Sequence, residues 1–121
     1  MEVYMSLQQD AAKAAMIRWL ANPAELGRQP KRIELAGEFQ LHGLIYYIFR
    51  YKKSILGKWL VGVCGGFEVG EMEHCGHVFS EMQEYSADTA EQQCIEMVEM
   101  LRSYWMEQAQ AANEASWLMG E

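Results

Sequence analysis

The spacing of apolar side chains along the chain changes period twice. Met5, Ala12, Met16, Trp19 and Leu20 recur at helical intervals, with Leu7, Ala11 and Ala14 on a neighbouring stripe. The segment Ser6 to Ala21 is rich in Ala, Gln, Leu and Met, all good helix formers, so a first helix is predicted there. Asn22-Pro23 ends it, because proline disfavours helical geometry in the residue before it. From Ile33 the period is two. Ile33, Leu35, Phe39 and Leu41 alternate with Glu34, Glu38, Gln40 and His42, the pattern of a half-buried strand. Gly43 marks a turn, and Leu44 to Lys52 is a β-branched and aromatic run. It places Ile45, Tyr47, Phe49 and Tyr51 on one face, with Leu44, Tyr46, Ile48 and Arg50 on the other. After a loop at Lys53 to Gly57, Lys58 to Cys64 is a third strand and His77 to Tyr85 a fourth.

Beyond Ser86 the helical period returns. Asp88 and Glu91 have the spacing of a capping box, and no breaker follows before Gly120. Cys94, Val98, Leu101 and Trp105 form the main stripe, widened by Ile95, Met97, Met100 and Tyr104. Short connections between strands favour an antiparallel meander. The expectation is therefore a single α+β domain over residues 1–121. It has an N-terminal helix, a three- to four-stranded antiparallel β-meander and a long C-terminal helix packed on one face of the sheet, both helices covering that face in two layers. Two helices cover only part of so aromatic a sheet, and the uncovered part points to a homodimer.

Composition narrows the class. A chain of 121 residues, 50% hydrophobic with only two prolines, is neither a disordered tail nor collagen-like. Its N-terminus lacks the basic and apolar regions of a secretory signal. The longest apolar runs, Leu44 to Phe49 and Trp59 to Cys64, fall far short of the ~20 residues that span a bilayer. Three irregularly spaced cysteines fit reduced thiols, so the expected location is cytoplasmic and no membrane partner is expected.

The net charge of −7 conceals a polarised chain. Residues 28–58 carry seven basic and two acidic side chains, whereas residues 59–121 carry twelve carboxylates and only Arg102. The acidic half repels phosphate, which makes nucleic acid an improbable partner; it could instead mask a basic protein, as inhibitors of nucleases do. The basic stretch Arg50, Lys52, Lys53 and Lys58, interleaved with Tyr47, Phe49 and Tyr51, is the candidate anion- or RNA-binding surface. The order of helices and strands resembles that of double-stranded-RNA-binding domains. Those need cations at the start of the second helix, where this chain has Asp88 and Glu91.

For chemistry, the densest segment is Glu71 to His77. His74, Cys75 and His77 are candidate zinc ligands, with Glu71 or Glu73 nearby and Cys64 or Cys94 available from elsewhere. No CxxC knuckle accompanies them. Cys75 beside His74 is the one local thiol–base pair, but carboxylates surround it and disfavour a thiolate. Gly62 to Gly70 lacks the Gly-Lys-Ser/Thr ending of a phosphate loop. Glu96 and Glu99, like Glu81 and Glu84, are paired carboxylates that a solvated face explains without acid–base catalysis. Catalytic motifs being absent, the leading expectation is a non-catalytic interaction, adaptor or inhibitor-type module with no cofactor. Its partner-binding residues are Glu96, Glu99, Met100, Trp105, Glu107 and Trp117. A metal- or thiol-dependent enzyme and an anion or RNA binder are the rivals.

Overall fold

A two-residue turn and an alternating pleat organise the sheet. The computed structural model describes residues 2–67 and 77–118, with side chains for 7–67 and 78–112. Helix α1 spans Glu2–Ala21, strand β1 Arg32–Leu41, β2 Leu44–Lys52, β3 Leu60–Phe67, β4 His77–Phe79 and helix α2 Ala90–Leu118. The four strands form one antiparallel sheet in chain order, β1-β2-β3-β4. His42 and Gly43 join β1 to β2 with φ of 53° and 79°, the doubly left-handed geometry that matches the twist of a tight hairpin.

The sheet carries a core on each side. On one face Tyr47, Phe49, Tyr51 and Cys64 pack against Ala12, Ala15, Met16 and Leu20 of α1. On the other, Tyr46, Ile48, Val61 and Val63 pack against Ala90, Cys94, Met97 and Val98 of α2. The α+β class, the antiparallel meander and the C-terminal helix packed on one face are as the sequence predicts. The N-terminal helix, expected beside α2, lies on the opposite face. Both parities of β2 are apolar, so each face needs its own cover. That cover also removes the exposed aromatic sheet the sequence suggested: Tyr46, Tyr47, Phe49 and Tyr51 are all buried.

Two irregularities shift the pleat. In β1 the register slips between Leu35 and Gly37, leaving Ala36 as an extra residue. Ile33 therefore joins the α1 core, while Phe39 and Leu41 join the α2 core, although all three alternate in phase along the sequence. In β3 the glycines at 65 and 66 do not end the strand as expected; pairing with β2 continues through them to Phe67. A Cβ on Gly65 would lie 2.6 Å from the Ile45 carbonyl oxygen and from the Tyr46 Cα, so only glycine lets the strands approach this closely.

The fourth strand is present in two pieces. After Phe79 the chain leaves the ladder, with Met82 at φ 59°, and rejoins β3 where Val61 N–H donates to the Gln83 carbonyl and Tyr85 N–H to that of Trp59. Trp19 of α1 reaches round this edge to Phe79, ring centres 6.1 Å apart. The first turn of α2 hangs on the Ser86 carbonyl, which accepts from Thr89 and Ala90 N–H.

Candidate functional site

Two surfaces stand out, at opposite ends of the sheet. The first is where α2 leaves it. Cys94, Met97 and Val98 sit over the strands, Leu101 follows half-buried, and His42 Nε2 meets Glu99 Oε1 at 2.8 Å, fastening the helix to the β1–β2 turn. From Ser103 to Ala112 every side chain is exposed. The helix continues to Leu118, a projection of roughly four turns. Counted at 3.6 residues per turn, the stripe on the sheet runs on as Tyr104, Trp105, Gln108, Ala111 and Ala112, all exposed among the described residues. Trp105 is 58% and Tyr104 52% exposed, their rings packed edge to face on one another.

The predicted partner-binding residues divide around this stripe. Met100 is exposed beside it, and Glu96 and Glu107 lie across the helix from it, Glu96 holding Gln92. Glu99 is taken by His42. The side chain of Trp117 lies outside the described residues.

The second surface is the far end of the sheet, where β1 begins, β2 ends and β3 begins. Register places Arg32 opposite Lys52 and Glu34 opposite Arg50. Glu34 Oε1 accepts from Arg50 Nε at 2.9 Å and Nη2 at 2.6 Å, while its Oε2 accepts from Arg32 at 3.0 Å. The Arg50 hydrogen bonds hold the Glu34 carboxyl below its ordinary value, against a smaller opposing effect of burial. The Trp59 ring lies beneath all three cations: Arg50 at 4.4 Å from its centre, Lys52 at 4.9 Å and Arg32 at 5.3 Å. Tyr85 flanks Arg50 at 5.6 Å.

Of the predicted anion-binding residues, Arg50 is thus engaged, and Lys58 pairs loosely with Glu84 at 3.6 Å. Lys53 is exposed and Lys52 half-buried beside the Trp59 ring. Sequence reasoning missed Arg32, Glu34, Trp59 and Tyr85, although opposite charges spaced symmetrically about a hairpin turn are a legible sign of cross-strand pairing.

Of the expected metal ligands, His74 and Cys75 lie outside the described residues, as does the side chain of His77. Among the described residues no three His, Cys, Asp or Glu side chains come together as a metal site. Cys64 and Cys94 are buried on opposite faces. Burial pushes the Cys94 thiol up to about 12, which makes it inert as a nucleophile at neutral pH. No described helix is long and apolar enough to cross a membrane. No family model, curated protein or solved structure matches the chain.

Proposed function

We propose that the protein is a non-catalytic interaction module of the cytoplasm that pairs with a second copy through the projecting half of α2. The observation that carries this reading is the continuation of the core stripe past the sheet with Tyr104 and Trp105 exposed on it. An isolated helix of this length is marginal in water, so the projection gains most by burying that face.

The stripe's composition favours a second copy over an unrelated partner. Its first half is bulky (Tyr104, Trp105) and its second half small (Ala111, Ala112), with Gln108 between. Two such helices laid antiparallel about Gln108 set Tyr104 against Ala112 and Trp105 against Ala111, twice over by symmetry. Large side chains then meet small ones at every step, and the two Gln108 amides meet at the axis, where each can donate and accept. That is the self-complementarity a twofold interface requires. Glu96 and Glu107, on the outer face, remain as the acidic surface that an adaptor or inhibitor presents to a basic partner.

Native mass spectrometry with analytical ultracentrifugation tests the reading. A dimer is expected for the parent chain, shifting to monomer in Trp105→Ala and in Ala111→Glu, with the cooperative melting of the sheet retained and any loss of helical circular dichroism confined to the projection. A parent chain that is monomeric at micromolar concentration, or a dimer indifferent to both substitutions, overturns it.

A further inference from the structure

The tip of the β2–β3 connection breaks the ordinary chemistry of turns. Gly57 N–H donates to the Ser54 carbonyl at 3.1 Å, closing a turn whose two corner residues are Ile55 and Leu56. Such corners normally take Pro, Asn, Asp or Gly, which the local backbone and water both favour. Here they carry two aliphatic side chains that touch little of their own protein: Ile55 is 72% and Leu56 98% exposed. Lys52 Nζ reaches the Ile55 carbonyl at 3.4 Å, and Arg28 bonds the Lys53 carbonyl at 3.0 Å, so the connection is held at both shoulders.

Cations ring this apolar tip. Lys52, Lys53 and Lys58 flank it in sequence, and Arg28 and Lys31 join them through contacts with the backbone of Lys53 and Lys52. Carboxylates in the neighbourhood are Glu84, paired with Lys58, Glu34, shared by Arg32 and Arg50, and Glu25, whose charge acts on Tyr51. Among the described residues basic side chains outnumber them. The acidic projection of α2 leaves from the opposite end of the sheet, so the molecule can present this pole despite its net negative charge.

We propose that the Ser54–Gly57 turn is a peripheral membrane anchor: Ile55 and Leu56 enter the interface of an anionic lipid bilayer while the surrounding lysines and arginines engage its headgroups. Two aliphatic residues at a convex tip bury little against a flat protein surface, but an acyl layer can enclose both. A nucleic-acid strand would need an exposed aromatic platform. Tyr47, Phe49 and Tyr51 are buried, and the Trp59 ring is occupied by Arg50. Polybasic attraction to acidic headgroups adds to the apolar contribution, which is the two-signal requirement for stable surface binding. This inference is independent of the pairing assigned to α2.

Cosedimentation of the full chain with phosphatidylcholine vesicles containing phosphatidylserine tests it, with pure phosphatidylcholine vesicles as the control. Expected is binding to the anionic vesicles alone, reduced about tenfold by Leu56→Glu and about fivefold by Lys53→Glu. Circular dichroism should be unchanged, because neither side chain is buried. Absence of binding to anionic vesicles overturns the proposal. So does binding that salt abolishes but Leu56→Glu and Ile55→Glu leave intact, or that a single-stranded oligonucleotide matches in affinity, since either outcome marks a plain polyanion surface.

Discussion

The Tyr51 hydroxyl lies 2.6 Å from Ser80 Oγ, and because Ser80 donates its own proton to the Val61 carbonyl at 2.7 Å, Tyr51 is the donor. Met82 N–H also points to Ser80 Oγ, at 3.1 Å. One buried hydroxyl thus ties β2, β3 and the excursion after β4 together. Ser80→Ala leaves the Tyr51 hydroxyl buried without its acceptor and should cost about 1–3 kcal/mol. Tyr51→Phe leaves Ser80 still bonded to Val61 and Met82 and should cost about 1 kcal/mol. Urea denaturation of the two variants checks the order; equal losses would show that the network does not act through Ser80.

Two of the three glycines of β3, Gly62 and Gly65, predict different tolerances. A Cβ at Gly65 meets backbone atoms of Ile45 and Tyr46 at 2.6 Å, and backbone cannot step aside. At Gly62 it meets the Met16 methyl at 2.9 Å, the far end of a flexible side chain. Gly65→Ala should lose about 3 kcal/mol or more, and Gly62→Ala about 1 kcal/mol. Thermal melts of both variants measure the gap, and a Gly65→Ala variant as stable as the parent would refute the close approach.

The Glu34 carboxylate contributes stability with a defined pH dependence. Arg50 holds its folded value below the ordinary 4.5, so the unfolded chain binds this proton more readily than the folded one. The contribution is complete above the ordinary carboxylate range and disappears as pH falls through the lowered folded value. The urea midpoints of the parent and of Glu34→Gln should therefore differ most near neutrality and converge in acid. A difference that persists unchanged into strong acid would contradict the pairing.

Antiparallel pairing about Gln108 makes a positional prediction that dimerisation alone does not. In a Cys75→Ser background, Gln108→Cys should form an interchain disulfide rapidly under mild oxidation, since the two thiols meet at the axis. Gln110→Cys, turned away from the stripe, should not. Non-reducing electrophoresis reads the result, and cross-linking at 110 in preference to 108 would assign a different face.

Most of the fold was legible from periodicity. The three long strands, both helices and the Gly43 turn follow from side-chain spacing, because burial on one side imposes period 2 or 3.6 wherever an element is regular. What periodicity hid is where regularity fails. The odd-numbered residues of β1 look like one face, yet the extra residue at Ala36 sends Leu41 to the side opposite Ile33. The opposite placement of the helices is written in β2, whose residues are apolar at both parities, the pattern of a strand covered on both faces. The unburied stripe of α2 was visible at Trp105. The Glu34 cluster needed the pairing register, and the significance of Ile55 and Leu56 needed the turn that displays them.

The extra residue in β1 also bears on how the molecule comes apart. Ile33 belongs to the layer under α1 and Phe39 to the layer under α2, so a single strand is stitched through both. Neither layer can loosen β1 without disturbing its counterpart, which favours one all-or-none transition over separate melting of the two helices. Removing Ala36 would turn Phe39 and Leu41 over to the wrong side of the sheet, exchanging an aromatic stack on Tyr46 for a clash of volumes beneath α1. One residue of length thus governs whether the two halves answer to each other.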